Sequence, residues 1–324
     1  MNTRIQVEHP VTEEITGIDL VEQQIYIAAG NEMELRQKDI RFKGHAIEAR
    51  LYAEDPEKDF LPSPGNILAY FQPNLPGIRI DSAIDGPCEI RPYYDPMISK
   101  IIASGPDRNT ALQGLKRALL DTRVNGLTTN REFLVEILDS EEFIHNRFST
   151  SWLEKALSML QDSLRKKKST VAAKHIYSAW LTNLLYNSSK SEGSLWEKTG
   201  YWRSQVRKRV LFRNKEVELR VRERNEKNFV FTFENQEVNV EPKSISHHLL
   251  IFEENGEWIS ANITSGMDVE DIIVLEGYEF RLKPVDYLPL KPWLKEEIPD
   301  DEEGPKVVRS PLHGKVVKVN VMKD

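Results

Sequence analysis

The spacing of apolar residues predicts an amphipathic helix soon after the start of the chain. The apolar positions recur at intervals of three and four residues, at Ile15, Ile18, Val21, Ile25 and Ala28. Residues at this spacing share one face of an α-helix, and a glycine commonly follows the last helical turn. A single helix is therefore expected between Pro10 and Gly30.

The remainder of the first 148 residues mixes strand and helix patterns. Alternation of apolar and polar residues over 44–54 predicts a strand, and shorter strands are expected over 67–71 and 78–81. A leucine stripe predicts a helix over 109–120, and a second short apolar cluster predicts another over 133–138. This half of the chain should therefore combine helices with strands.

Two further helices are predicted after residue 149. The first begins at the capping cluster Ser149-Thr150-Ser151 and ends in the basic run Arg165–Lys168, which the helix dipole favours. Such a run can bind nucleic acid, but in an acidic chain it more often covers a solvated helix end. The second helix, over 174–186, is apolar around most of its circumference and should be enclosed by other elements.

Short alternating segments between residues 202 and 284 predict what encloses that helix. They are separated by turn-forming pairs at Arg213-Asn214, Asn225-Glu226, Asn235-Gln236 and Asn255-Gly256, and by Gly277. About seven or eight strands at this spacing form an antiparallel meander. Closing the meander around the helix removes its sheet edges and gives a helix-centred β-barrel.

The composition of the chain argues against several classes of protein. The chain has 324 residues, a net charge of −7 and 40% hydrophobic residues, a balance that argues against a general nucleic-acid binder. No apolar run approaches the length of a membrane span. Cys88 is the only cysteine and the seven histidines lack metal-ligand spacing, which excludes disulfides and a zinc site. A reducing compartment is expected.

Polar residues at the start of the chain form the first candidate site. Arg4, Gln6 and Glu8 alternate, so on a strand they would project from one face. Arginine and glutamine can hold a small planar anion, and glutamate can accept a proton. Spacing alone favours a plainer interpretation, an exposed strand face carrying a charge pair.

Two other charged residues could take part in chemistry. Arg50 lies two positions after Glu48 on the predicted strand, where the pair alone is worth little. Asp95 precedes Pro96 and could be a catalytic carboxylate, although a capping or turn residue is the commoner role.

Several motifs together resemble those of biotin carboxylases. They are Met1-Asn2-Thr3-Arg4-Ile5-Gln6-Val7-Glu8-His9-Pro10, Gly44–Arg50, Tyr52–Pro56, Leu61–Gly65 and Tyr93–Lys100, in the order and spacing of that family. The resemblance covers residues 1–154 and implies the C-terminal part of an ATP-grasp biotin carboxylase, with an α+β fold.

The second half resembles other parts of the same enzymes. Residues 155–294 are similar to the helix-plus-barrel linking domain of propionyl-CoA carboxylase α subunits, and 295–309 form an acidic linker. Ser310-Pro311-Leu312-His313-Gly314-Lys315 resembles the opening of a biotin carboxyl carrier domain, so 310–324 are expected to be its truncated start. No biotinylated lysine is expected in this chain.

The resemblance assigns roles to the candidate residues. Arg4, Gln6 and the backbone of Val7 would bind bicarbonate, and Glu8 would deprotonate it for reaction with ATP. Arg50 would stabilise the biotin enolate, as an oxyanion-stabilising cation does. Asp95 is a further candidate for biotin binding. Asn2 is the metal-binding candidate, whose main carboxylate partners would lie upstream of Met1.

The resemblance also predicts what is missing. The cofactors of the family are ATP, Mg²⁺ or Mn²⁺ and carrier-bound biotin, with bicarbonate as substrate, but this sequence has no glycine-rich phosphate loop. Met1 is expected to be an internal methionine of a longer subunit. The 324 residues alone are expected neither to hydrolyse ATP nor to become biotinylated.

The leading hypothesis is thus a fragment of an acyl-CoA carboxylase α subunit. Propionyl-CoA is the favoured substrate, with acetyl-CoA and 3-methylcrotonyl-CoA still open and pyruvate less favoured. Expected partners are a carboxyltransferase β subunit, the biotin carrier domain and further copies in an oligomer, without nucleic acid or membrane. The compartment would be the cytoplasm, or the mitochondrial matrix in a eukaryote.

Two alternatives remain. The chain could be a non-catalytic docking module that binds a β subunit through residues 155–290. It could also belong to a different ATP-grasp ligase, which would need an acceptor other than biotin.

Overall fold

The computed structural model describes residues 2–190, 206–225, 228–246, 249–265 and 270–285. The chain divides into two compact units, Met1–Thr170 and Val171–Asp324. No helix in these described ranges is long and apolar enough to cross a membrane.

The described part of the first unit contains six α-helices, two single-turn 3₁₀ helices (Gln37–Asp39 and Pro56–Lys58) and nine short strands. The helices are α1 His9–Thr16, α2 Leu20–Ala28, α3 Arg108–Asp121, α4 Arg131–Leu138, α5 Glu141–Ile144 and α6 Trp152–Thr170. The strands are β1 His45–Tyr52, β2 Glu54–Asp55, β3 Leu61–Pro62, β4 Gly65–Ile67, β5 Ala69–Phe71, β6 Ile78–Ser82, β7 Cys88–Ile90, β8 Met97–Gly105 and β9 Arg123–Asn125.

A three-stranded antiparallel sheet organises this unit, with strand order β1-β8-β6. Helix α3 packs on one face, where Leu115 and Leu119 are fully buried against Ile101. The smaller pairs β2–β3, β4–β7 and β5–β9 are antiparallel two-stranded sheets. The predicted strands over 44–54 and 78–81 and the helix over 109–120 are confirmed, while the predicted strand over 67–71 is divided between β4 and β5, which belong to different sheets.

The single helix predicted between Pro10 and Gly30 is wrong, because two helices occupy this region. Gly17 takes a left-handed conformation with φ 69° and ends α1, and Asp19 starts α2 by accepting a hydrogen bond from the backbone of Glu22. Glycine adopts this conformation without steric cost, so a periodic apolar pattern can continue across a break in the helix.

Helix α6 belongs to the first unit, and the predicted domain boundary after residue 154 falls inside it. Its residue Leu160 packs with Phe133 of α4. Lys167 pairs with Glu136 at 2.8 Å and Lys168 with Glu132 at 2.9 Å. Half of the basic run therefore binds α4 instead of solvent. The assignment of 155–294 as a linking domain stays a prediction, and 295–309 and 310–324 lie outside the described residues.

The second unit is a closed eight-stranded antiparallel barrel around a helix, which confirms that prediction. The helix is α7, Ala173–Lys190. The strands are β10 Val206–Phe212, β11 Lys215–Asn225, β12 Asn228–Phe233, β13 Gln236–Ile245, β14 Leu249–Glu254, β15 Glu257–Ser265, β16 Asp271–Leu275 and β17 Tyr278–Val285.

Four two-residue hairpin turns lie at one end of the barrel. Both central residues of each turn have positive φ, at Arg213-Asn214, Glu234-Asn235, Asn255-Gly256 and Glu276-Gly277. Turns of this kind have the backbone twist of the strands they join, which favours tight antiparallel pairing. The predicted turn at Asn235-Gln236 is shifted by one residue, and Glu226 of the predicted Asn225-Glu226 turn is outside the described residues.

Side chains of α7 fill the barrel. Ile176 and Leu181 are fully buried, and the indole of Trp180 donates a hydrogen bond to Asp271 at 2.6 Å. Tyr177 contacts the rings of Phe212 and Phe233, and burial together with the nearby charge of Glu234 raises its pKa to about 12. An aromatic helix face therefore fixes α7 inside the strands.

A buried carboxylate anchors the first turns of α7. Glu254 has no exposed side-chain surface, and its Oε2 lies 2.7 Å from Nδ1 of His175 and 3.4 Å from Nζ of Lys174. Burial raises the pKa of Glu254, but the close approach of His175 and Ser178 and the charges of His175 and Lys174 lower it further, so the net shift is downward.

We expect the barrel to lose stability as the pH falls below the ordinary glutamate pKa of 4.5. A depressed folded-state pKa contributes stability above the unfolded-state pKa, and that contribution disappears as the pH falls through the folded-state value. The measurement is urea unfolding between pH 7 and 3.5, followed through hydrogen exchange of barrel peptides. Glu254→Gln should flatten the barrel's pH dependence in this range, and an unchanged slope would contradict the expectation.

Candidate active site

The candidate site lies on the face of the β1-β8-β6 sheet opposite α3. Strand register places Arg50 opposite Lys100, and Lys100 opposite Asp81. Two residues further along β8, Ile102 lies opposite Glu48 of β1 on one side and Arg79 of β6 on the other. Side chains at matching positions of neighbouring strands share a face, so the register gathers these charges.

Arg50 and Glu8 meet on this face although they lie 42 residues apart in the sequence. The Arg50 guanidinium donates to Oε2 of Glu8 at 2.7 Å. The Arg50 side chain is 39% exposed and that of Glu8 54%, so both groups remain accessible to a ligand. The structure therefore brings two of the three predicted catalytic residues into contact.

Glu48, on the same strand as Arg50, forms a second ion pair with it. Its Oε1 lies 3.7 Å from Nε of Arg50, and its side chain is only 5% exposed. Burial raises the pKa of Glu48, and the charges of Lys100 and Arg50 oppose the rise. A carboxylate in this position compensates the two cations that stand side by side on β1 and β8.

The predicted strand over Arg4, Gln6 and Glu8 is wrong. The backbone turns here, since His9 N–H donates to the Gln6 carbonyl and Val11 N–H to the Glu8 carbonyl, each at 3.2 Å. No strand of the described residues pairs with this segment, and an extended chain needs such pairing to satisfy its backbone. Glu8 reaches Arg50 from the residue preceding α1, not from a strand face.

Arg4 and Asn2 are placed differently from the Glu8–Arg50 pair. Arg4 is exposed, and its guanidinium donates to the carbonyl of Ile5 at 3.3 Å. Asn2 is exposed as well. The carbonyl of Gln6 bonds to the ring of His9 at 2.8 Å. The structure thus does not gather Arg4 and Asn2 with Glu8 and Arg50, and their bicarbonate and metal roles stay predictions.

Asp95 acts as a turn residue and also lies near the site. Its Oδ1 accepts a hydrogen bond from the backbone of Met97 at 2.9 Å. Burial and the charge of Asp95 raise the pKa of Tyr52, while the nearby Arg50 lowers it. Tyr52 therefore lies near both Arg50 and Asp95. Sequence analysis did not single out Tyr52, although it lies two residues after Arg50 on the same strand.

A charged network beneath α1 was also missed. Arg79 binds Asp81 and Glu13, each at 2.8 Å, and Lys100 binds Asp81 at 3.2 Å. Burial raises the pKa of Asp81, but Arg79 and Lys100 lower it further, to a net value below the ordinary one. The motif Tyr93–Lys100 contained one member of this network, but only the sheet register connects it to the others.

The described residues contain no preformed cluster of metal ligands. Within the described ranges no three histidine, cysteine or acidic side chains cluster as metal ligands would. Asn2 offers one amide, and the sequence lacks a glycine-rich phosphate loop.

Comparison with known proteins identifies the first half of the chain. The biotin carboxylase C-terminal domain matches residues 48–155, and the ATP-binding domain of the carbamoyl-phosphate synthase L chain matches 1–36. Biotin carboxylase of Nostoc is 49% identical over 154 residues, which are 48% of this chain and 34% of that protein. Human mitochondrial propionyl-CoA carboxylase α chain is 48% identical over 155 residues, 47% of this chain and 21% of the relative.

A solved structure is also similar. It is the biotin carboxylase domain dimer of Hydrogenobacter thermophilus 2-oxoglutarate carboxylase with MgADP and bicarbonate, 44% identical, at a TM-score of 0.48. The alignment covers 49% of this chain and 35% of that chain.

The sequence matches cover the first half of the chain. Residues 1–155 are similar to the C-terminal part of biotin carboxylases, which are ATP-dependent ligases. The chain spans about a third of the length of the biotin carboxylases it matches.

Proposed function

We propose that the first unit supplies the bicarbonate- and biotin-facing part of a biotin carboxylase site. The contact between Glu8 and Arg50 carries this proposal, because it joins the two matched segments of the chain at an accessible ion pair. The similarity of residues 1–155 to biotin carboxylases supports it. ATP, Mg²⁺ or Mn²⁺ and carrier-bound biotin would be held largely by parts of a longer protein.

The residues divide the chemistry between them. Glu8 accepts the proton of bicarbonate, since a partly exposed carboxylate can act as a general base. Arg50 stabilises negative charge on the oxygen of the cyclic urea of biotin, as a fixed cation does for a developing oxyanion. Arg4, Gln6 and the Val7 backbone bind bicarbonate once Arg4 turns toward the pair. Asp95, which lies near Tyr52, is the further proposed contact for biotin.

The complete protein would be a carboxylase α subunit, with propionyl-CoA as the proposed acyl substrate. Its relatives carry names of carboxylases for pyruvate, 2-oxoglutarate and propionyl-CoA, so the biotin half-reaction is the part they share. The carboxyltransferase β subunit and the biotin carrier domain are the proposed partners. The second unit is the proposed docking element, because its closed barrel has a hydrophobic core of its own.

Bicarbonate binding to the purified 324-residue chain tests the proposal. We expect potassium bicarbonate, but not potassium chloride, to shift the backbone amide resonance of Val7 and the Nε resonance of Arg50 in a ¹⁵N-labelled sample. Arg4→Met should raise the half-saturating concentration about tenfold or more, because it removes the charge-assisted contact proposed for bicarbonate.

Arg117→Met is the matched control, since Arg117 is 74% exposed on α3 of the same unit. It should bind bicarbonate like the unaltered chain. Equal shifts with chloride, or equal binding by the Arg4 and Arg117 variants, would contradict the proposed site.

A further inference from the structure

We infer that Lys100 is a positioning residue that holds the Gln6–Glu8 loop so that Glu8 faces Arg50. This inference rests on the proposed function of that pair. Lys100 has no contact with the Glu8 side chain, and it would act through the carbonyl of Val7.

Two contacts on one face of the sheet fix the Lys100 ammonium. Its Nζ donates to the carbonyl of Val7 at 3.4 Å and pairs with Oδ2 of Asp81 at 3.2 Å. The side chain is 12% exposed, so few water molecules compete for these contacts. Lys100 lies on the central strand β8, which hydrogen-bonds to both β1 and β6. A donor mounted there is held more rigidly than one on a loop.

Surrounding charges hold the Lys100 ammonium away from Arg50. Lys100 stands opposite Arg50 on the neighbouring strand, and two like charges in this relation repel. Asp81 attracts Lys100 from β6, the strand on the other side of β8. Glu48 lies close enough for the charges of Lys100 and Arg50 to lower its pKa. The Glu48 carboxylate therefore offsets part of the repulsion between these two cations. Lys100 is thereby drawn away from Arg50 and leaves the Arg50 guanidinium to Glu8.

A second anchor holds the chain after Glu8. Arg79 binds Glu13 of α1 at 2.8 Å, and Glu13 is only 7% exposed. Arg79 and Lys100 share Asp81, so one carboxylate orders both anchors. The loop is thus fixed at Val7 before Glu8 and at Glu13 after it. Two such anchors determine where Glu8 points, although Glu8 itself is more than half exposed.

Lys100→Met, Lys100→Gln and Lys100→Arg in the full chain test the inference, with Lys116→Met as the control. Lys116 pairs with Asp139 elsewhere in the first unit. We expect Lys100→Met to speed hydrogen exchange of the His9 and Val11 amides about tenfold, because these amides close the turns beside Glu8. The Arg50 Nε resonance should move to its position in Glu8→Gln, which marks a broken Glu8–Arg50 pair.

Rescue by charge separates positioning from mere stability. Lys100→Arg should restore both signals, and Lys100→Gln, which keeps a neutral donor, should give intermediate values and serves if Lys100→Met does not fold. Lys116→Met should leave both signals unchanged. If exchange at His9 and Val11 and the Arg50 resonance stay unaltered in the Lys100 variants, Lys100 does not position the loop.

Bicarbonate titration separates failure of this inference from failure of the proposed function. The half-saturating concentration should rise severalfold in Lys100→Met. If the unaltered chain binds bicarbonate and Lys100→Met binds it equally well, the positioning role is overturned. If the loop loosens in Lys100→Met but the unaltered chain does not bind bicarbonate, Lys100 positions the loop and the proposed function fails.

Discussion

Leu181→Ala is expected to lower the free energy of unfolding of the second unit by about 2–5 kcal/mol. Leu181 lies on α7 at the centre of the barrel and has no exposed surface. Removing three carbon atoms there loses apolar burial and leaves a cavity, which a closed ring of eight strands can only partly fill by relaxation. Urea unfolding followed by hydrogen exchange of peptides from each unit measures the loss.

The matched control is the same substitution on the outside of the barrel. Leu211→Ala changes a side chain that is 37% exposed on β10, so a change of about 0.5 kcal/mol or less is expected. Peptides of the first unit should unfold at the same urea concentration in both variants. Similar losses for Leu181→Ala and Leu211→Ala would show that α7 is not enclosed as described.

Gly126→Ala is expected to destabilise the first unit by about 3–5 kcal/mol. Gly126 has a φ of +110°, which side chains rarely adopt, and an added Cβ would lie 2.1 Å from the carbonyl oxygen of Asn66. That oxygen belongs to the backbone, so the clash can only be relieved by moving the chain next to β5 and β9. Hydrogen exchange in urea should show the loss in peptides of the first unit and not in the barrel.

Gly30→Ala separates backbone strain from the clash. Gly30 also has a positive φ, +89°, but an added Cβ would meet no atom within 4 Å. It should cost only about 1–2 kcal/mol, the usual penalty of a left-handed conformation. Equal losses for the two glycine variants would show that the close approach to Asn66 has no energetic weight.

Gly126 bears on the site because the same region supports β1. Asn130 follows shortly after it and bonds through its side chain to the carbonyl of Arg50 at 3.1 Å and the N–H of Tyr52 at 2.9 Å. These bonds satisfy backbone groups along the free edge of β1. A shift at Gly126 would therefore be expected to reach the strand that carries Arg50.

Local patterns in the sequence predicted most of the elements. Apolar residues alternate with polar ones over Val217–Val221, and the apolar ones face the interior of the barrel. The apolar residues around α7 predicted that strands enclose it. Both predictions succeed because buried side chains recur with the period of the strand or helix that carries them. Turn-forming residues located most of the hairpins. The single helix predicted before Gly30 failed at Gly17, where an apolar period continued through a helix end.

The candidate site was predicted only in part. The motifs named Glu8 and Arg50, and the structure brings these two together, but the strand parity used for Arg4, Gln6 and Glu8 was wrong. Alternate residues share a face only in a paired strand, and whether a segment pairs depends on residues far away in the sequence. Tyr52 and Lys100 stood inside motifs without any assigned role.

The sequence by itself determined the period of each element, the closing turns of the barrel and the family resemblance of the first half, because these depend on neighbouring residues or on short motifs. Only the tertiary structure decided which charges meet. Glu8, Arg50 and Lys100 lie far apart along the chain, and the register of β1 and β8 together with the turn before α1 places them on one face. Coulombic and hydrogen-bond energies depend on separation in space, so no sequence period encodes them.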